Sequence, residues 1–238
     1  MKAETSSPSQ KFADSILALR PRIAVFDCDG TLWSGDAGAD FFYWQIDRGM
    51  FPHDLAERAA ARYADYKQGK VDETDMCGEM VTINAGNSLQ TLREAAEEFF
   101  SSIVEKRIFP EMLRLTRELE SIGCEVWAVS STNDWVVSEG VKRFGIRPRR
   151  VLAACVHIEN GQVTDRLIRV PSGPGKATAI QEVVNKPVDI CFGNSIHDLD
   201  MLEVARHAFA VNPNPDLEEI AQEKSWQIYW PSGSRNHS

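Results

Sequence analysis

The run Ile23-Ala-Val-Phe-Asp-Cys-Asp-Gly-Thr-Leu32 constrains this chain more than any other segment. An apolar stretch of β-forming residues ends in two carboxylates, Asp27 and Asp29, and Gly30-Thr31 then turns the chain. This pattern predicts a buried parallel strand that delivers acids to its C-terminal edge, where open α/β sheets bind ligands. Side chains two apart on a strand share a face, and the bend beyond the strand lets the two carboxyls serve one ligand differently. Two buried acids repel unless positive charge, commonly a divalent cation, sits between them. An ordinary acidic turn explains the same ten residues equally well, because Asp-Gly is common turn chemistry. The rest of the chain has to decide.

A chain of 238 residues can bury a substantial core and accommodate one domain or one and a half. Its net charge of −9 argues against a nucleic-acid surface, and the tight basic cluster Arg147-Pro-Arg149-Arg150 reads as a solvated loop. No apolar run is long enough to span a bilayer. The five cysteines lack metal-ligand spacing, and their odd number, with no secretion signal ahead of them, points to a reducing, cytoplasmic setting. Met1 to Gln10 is polar and Ser-rich, so residues 1–20 are expected to form a disordered or extended tail, and 231–238 a second tail.

Four further strand-like segments follow the first: Glu125–Ser130, Arg150–Cys155, Val188–Gly193 and Ala208–Val211. Helix-like stretches precede them at Pro110–Ser121, Val136–Phe144, Lys176–Val184 and Leu199–Ala205. Strands alternating with helices predict a doubly wound, Rossmann-like parallel sheet covered on both faces. Glu159-Asn-Gly-Gln162 between two strand-like arms predicts a hairpin. The alternation breaks between about Gly35 and Ser102, where Ala, Glu, Arg and aromatics recur at helical spacing. This interval is expected to be an inserted helical cap domain (36–102) in an α/β core (21–35 and 103–230).

Four motifs stand at the ends of successive sheet elements. They are Asp27-Cys-Asp-Gly-Thr31, Ser130-Ser131-Thr132, Lys176 preceded by Ser172-Gly-Pro-Gly175, and Gly193-Asn-Ser-Ile-His-Asp-Leu-Asp200. In this order they resemble the haloacid dehalogenase superfamily of phosphohydrolases, and more narrowly its phosphoserine phosphatase-like branch, over Arg22 to about Pro213. The resemblance implies a Mg²⁺-dependent phosphatase acting on a small phosphomonoester. Asp27 would be the nucleophile that forms an aspartyl-phosphate, a step made possible by Mg²⁺ between two anions. Asp29 would protonate the leaving alcohol and then activate water, while its main-chain carbonyl ligates the metal. Thr31, Ser130, Ser131 and Lys176 would hold the phosphoryl group, and Asn194 and Asp198 would complete the metal site. Taken singly, Ser130 reads as a strand-end turn residue, Lys176 as a solvated helix-start lysine and Asp198 as a helix N-cap. Their order along the chain favours the joint reading. Gly173-Pro-Gly-Lys176 is not a phosphate-binding P-loop, because Val170 and Ala177 occupy the positions that need Gly and Ser or Thr.

One position departs from the family pattern. An acid usually follows the glycine of the fourth motif, and here the residue is Asn194. Its carbonyl oxygen can still ligate Mg²⁺, with Asp198 supplying charge directly or through water. The alternative is a phospholigand-binding protein with weakened turnover, and a phosphotransferase or mutase is a further possibility. Asp36 falls where phosphoserine phosphatases hold the substrate's ammonium, and it reads equally as a polar hinge residue. It suggests an amino- or cation-bearing substrate such as phosphoserine, phosphoethanolamine or phosphocholine. No nucleic-acid or membrane partner is expected, and the sequence does not fix the oligomeric state.

Overall fold

The computed structural model describes residues 7–234. Seven strands form one sheet: β1 (Ile23–Phe26), β2 (Glu125–Asn133), β3 (Val151–Glu159), β4 (Gln162–Arg169), β5 (Val188–Gly193), β6 (Ala205–Val211) and β7 (Gln227–Tyr229). Their spatial order is β4-β3-β2-β1-β5-β6-β7, and every pairing is parallel except β3 with β4. The antiparallel pair is the expected hairpin, with Glu159 opposite Gln162. Asn160 and Gly161 both take positive φ at its tip, as a tight two-residue turn requires.

The chain winds outward from β1 to β2 and β3, then returns to place β5 on the other side of β1. The carboxyl ends of β1 and β5 therefore flank a topological switch point, the crevice where doubly wound sheets bind ligands. Strand β1 alternates as a strand covered on both faces should. Ala24 and Phe26 join one apolar layer, and Ile23 and Val25 join the opposite one. The first layer includes side chains of α5 (Leu89–Phe99), α6 (Pro110–Ser121) and α7 (Asp134–Val141). The second includes α8 (Pro174–Val183), α9 (Leu199–Glu203) and α10 (Pro215–Glu223).

Three more helices, α2 (Ala37–Asp47), α3 (His53–Lys67) and α4 (Glu73–Thr82), fall between β1 and α5. They share a smaller core of their own built on Phe42, Phe51, Tyr63, Val71 and Met76. Helix α5 differs: its buried Leu92, Ala96 and Phe99 belong to the main core, and it packs on α7.

The expectation of a disordered or extended tail over 1–20 is corrected. A helix, α1, spans Pro8–Leu17, with Ser7 Oγ accepting from Gln10 N and Pro8 in its first turn. Phe12 and Ile16, four apart, place apolar side chains on one face, and both are buried. Phe12 stacks on Tyr229 at 4.0 Å and meets Phe209 edge-on at 5.9 Å. The Ser-rich start hid this short apolar stripe; residues 1–6 lie outside the described ones. The second tail is corrected in part as well. Residues 231–234 are described, and Ser232 N donates to Glu111 Oε1 at 3.0 Å; 235–238 lie outside the described residues. Helix α10 and strand β7 were not anticipated from the sequence.

Candidate active site

Each of the first motif's side chains has a defined place. Asp27 follows β1, and its amide donates to the Phe192 carbonyl of β5 at 2.9 Å, so the acid sits at the switch point. Thr31 Oγ1 donates to Asp27 Oδ2 at 2.8 Å, and Lys176 Nζ donates to Asp27 Oδ1 at 2.7 Å. Lys176, in the first turn of α8, spans the gap to the β5 side and also donates to Asp198 Oδ1 at 2.5 Å. Asp27, Lys176 and Asp198 are all buried, at 4%, 3% and 0% exposure. Three ionisable groups that far from water need one another, because an unpaired buried charge is very costly.

The two carboxylates share a single ammonium. Burial and the Asp198 charge push the Asp27 carboxyl up to about 7, against the opposing pull of Lys176. Burial disfavours the Lys176 charge too, but Asp198 and Asp27 outweigh it and hold the ammonium well above its ordinary range. The pocket is thus short of positive charge at Asp27.

Asp198 does not face the cavity. Its Oδ2 accepts from the amides of Asn194 (2.8 Å) and Ser195 (3.0 Å) and from Ser195 Oγ (3.3 Å), while its Oδ1 is taken by Lys176. Its carboxylate closes a capping box over the turn after β5 and anchors the lysine. Asn194 does line the cavity. Its side chain lies against Gly30, where a Cβ would fall 2.0 Å from Asn194 Nδ2. Gly30 also has φ of +79°, so glycine is required there on two counts.

Asp29 accepts three hydrogen bonds: from Trp33 Nε1 and Ala37 N to Oδ1, and from Thr132 Oγ1 to Oδ2, each at 2.7 Å. Burial, then the Asp36 charge, push its carboxyl up to about 6 against these three bonds. At the end of β2, Ser130 Oγ accepts from Thr132 N at 3.1 Å, which leaves its own proton free to donate into the cavity. Ser131 lines the cavity and meets Cys77 of α4. Asp36 is the N-cap of α2, accepting from Ala39 N at 2.8 Å, and sits exposed on the cavity rim.

The cavity enclosed by these groups measures about 230 Å³. Its sheet-side wall includes Asp27, Asp29, Ser130, Ser131, Lys176 and Asn194, and its facing wall includes Tyr63, Tyr66, Glu73, Met76 and Met80 from α3 and α4. The structure therefore gathers every site residue expected from the sequence around one point, although Asp198 stands behind Lys176 and Thr31 behind Asp27. Sequence reasoning missed Trp33 and the Glu73–His197 contact, and it named Thr132 in the second motif without giving it a role. Trp33 offered no signal beyond its place four residues after Asp29.

The donor set suits a hard cation. Asp27, Asp29 and Asn194 present oxygen atoms around the cavity, and Mg²⁺ takes oxygen ligands while keeping several waters. No cluster of three or more acidic, His or Cys side chains positioned to hold a metal occurs among the described residues. The charge deficit at Asp27 is what a divalent ion beside it would correct.

A family model described as haloacid dehalogenase-like hydrolase matches residues 24–203. The chain belongs to this family. Among curated relatives of this haloacid dehalogenase-like hydrolase, the histidinol-phosphatase of Neisseria meningitidis serogroup C is 26% identical over 219 residues, covering 87% of this chain and 97% of the relative. Phosphoserine phosphatase SerB1 of Mycobacterium tuberculosis is 26% identical over 86% of this chain and 69% of its own length. A solved structure of a protein of unknown function from Bordetella pertussis Tohama I superposes with a TM-score of 0.76 at 23% identity, over 87% of this chain and 97% of that one.

Proposed function

We propose that this haloacid dehalogenase-like phosphatase hydrolyses a small, cation-bearing phosphomonoester through an aspartyl-phosphate on Asp27, with Mg²⁺ as cofactor. The observation that carries the reading is Lys176 Nζ, held 2.7 Å from Asp27 and 2.5 Å from Asp198 at the switch point. A phosphate ester repels an anionic nucleophile, so catalysis rests on positioning and neutralisation. Bound Mg²⁺, held by Asp27, Asn194 and the Asp29 main chain, would supply the positive charge that this pocket lacks. Thr31 and Lys176 orient the Asp27 carboxylate for in-line attack. Ser130, Ser131 and Lys176 bind the phosphoryl oxygens. Asp29 delivers a proton to the leaving alcohol and later takes one from the attacking water. Of the interval 36–102, helices α2 to α4 act as the cap that covers the cavity and excludes water, while α5 stays with the main core.

The cavity's basic residues bear on the substrate. Lys176 gives two donors to carboxylates and its third to the phosphoryl group, and His197 is paired with Glu73, so neither cation is left for a substrate carboxylate. Asp36 on the rim and the Tyr63 and Tyr66 rings favour a positive leaving group. These features fit an amino-alcohol phosphate better than phosphoserine. Histidinol phosphate, suggested by one relative's name, joins phosphoethanolamine and phosphocholine as the esters to test. The setting is read as cytoplasmic; among the described residues no helix is long and apolar enough to cross a membrane.

The test is phosphate release from p-nitrophenyl phosphate. It should require Mg²⁺, stop with EDTA, and fall at least a thousandfold in Asp27→Asn. An Asp27→Asn protein that keeps most of its activity removes Asp27 from the nucleophile's role.

A further inference from the structure

The hydrogen bonds around Asp29 say more than that it is well held. A carboxylate has four in-plane lone-pair positions, two on each oxygen. Both positions on Oδ1 are taken by groups that only donate: the indole Nε1–H of Trp33 and the backbone N–H of Ala37, each at 2.7 Å. Neither donor can turn away to make room for a proton. The indole is fully buried, edge-on to Phe100 with ring centroids 5.2 Å apart and tilted against Phe144 at 6.1 Å. A Cβ at Gly140 would come within 2.9 Å of its Cη2, so glycine there is what lets the ring sit so close. Ala37 N is fixed in the first turn of α2. On Oδ2, one position accepts the Thr132 hydroxyl at 2.7 Å and the other is free. The start of α2 crowds this hydroxyl, since a Cβ at Gly38 would lie 2.6 Å from Thr132 Oγ1.

We propose that Trp33 and Thr132 are positioning residues: the indole, with Ala37 N, keeps the transferable proton of Asp29 off Oδ1 and on Oδ2, and the Thr132 hydroxyl holds Oδ2 in place. The inference rests on the phosphatase reading above and deepens it. In the first step a bond forms from an Asp27 carboxylate oxygen to phosphorus, and the bond from phosphorus to the ester oxygen breaks. The electron pair of the broken bond stays on the ester oxygen, which takes the proton from Asp29 Oδ2 and leaves as a neutral alcohol. Asp29 is then a carboxylate with the same three donors and one vacant site. That site receives the proton of the water that attacks the aspartyl-phosphate. Without the indole, Oδ1 gains a free position, and the proton divides between one oxygen aimed at the ester and one that is not.

The effect depends on how much the leaving group needs a proton. A p-nitrophenolate leaves without help, whereas a simple alkoxide does not. The experiment compares kcat/KM for p-nitrophenyl phosphate and for phosphoethanolamine, both with Mg²⁺, because kcat/KM covers steps only through formation of the aspartyl-phosphate. Trp33→Phe keeps an aromatic ring but removes the donor together with part of the buried indole's bulk, a loss that should weaken both reactions alike and leave their ratio to report on the proton. The ratio of p-nitrophenyl to alkyl activity should rise about tenfold in this variant, a small part of the hundredfold or more that general acid catalysis supplies. Should Trp33→Phe fail to fold, Thr132→Val supplies the same comparison: it should raise the ratio, and Thr132→Ser should restore it. A wild-type enzyme active on both esters, with both variants losing activity equally on each, overturns the positioning role and leaves the phosphatase reading standing. A wild-type protein that hydrolyses neither ester overturns that reading, and this inference with it.

Discussion

Lys176 does with one ammonium what two carboxylates would each need separately. Replacing it by methionine keeps the length of the side chain and strands Asp27 and Asp198 in a dry interior. Breaking a buried pair in this way costs about 3 to 5 kcal/mol. Lys176→Met is therefore expected to lower the urea midpoint of unfolding sharply at pH 7, and Lys176→Arg less so. An unchanged midpoint for the methionine variant would mean that the site is wetter than the burial of these three residues shows. Asn194 offers the complementary change. A carboxylate about 4 Å from a divalent ion is worth at most about 8 kcal/mol at an effective dielectric of 20, before water and the added repulsion from Asp27 are counted. Asn194→Asp should tighten Mg²⁺ binding by roughly tenfold in a calorimetric titration, since 1.4 kcal/mol is a factor of ten. Equal affinity in the two proteins would place residue 194 away from the ion.

At the scale of elements, the site is made by four strand-to-helix turns, and these are the parts the sequence made legible. Asp27, Ser130, Lys176 and Asp198 each follow or precede an unmistakable apolar run, so their order implied their meeting point. Less legible was what depends on contacts between distant segments. The first helix is a case in point: Phe12 and Ile16 acquire meaning only because Phe209 and Tyr229 wait for them across the sheet edge. Helix α5 looked like part of the insertion because it lies within it in sequence, yet Leu92 and Phe99 complete the main core. Trp33 carried no sequence signal of its own, and its 2.7 Å bond to Asp29 is what places it in the site. The turn at Gly30 lends itself to a direct test. Alanine there meets a positive φ costing about 1 to 2 kcal/mol and displaces the Asn194 amide. Gly30→Ala should therefore weaken Mg²⁺ binding as well as lower Tm; a variant that loses only stability would show that Asn194 can move without consequence.

For the whole molecule, the question is how the inserted helices are held over the sheet. An ion pair crosses that boundary beside the cavity: His197 Nδ1, in the turn after β5, lies 2.6 Å from Glu73 Oε2 at the start of α4. The bond to Glu73 raises the His197 pKa above its ordinary value of 6.5, against partial burial. Burial opposes the Glu73 charge, but the His197 bond and charge outweigh it, and the carboxyl sits below its ordinary 4.5. The signs fix a window. The histidine's share of stability is complete below about pH 6.5 and is lost as pH rises through its raised value. The glutamate's share is complete above about pH 4.5 and is lost as pH falls through its lowered value. Their contributions overlap fully between these limits. His197 is about half exposed, so solvent screening holds the pair to roughly 1 kcal/mol or less. Glu73→Gln should accordingly cost more unfolding free energy at pH 6 than at an alkaline pH above the raised His197 value, where the histidine's charge is gone. If urea titrations at the two pH values give the same difference between wild type and Glu73→Gln, the contact is packing rather than charge. The inserted helices would then be held over the cavity without help from this charge, and their seat would not respond to pH through this pair.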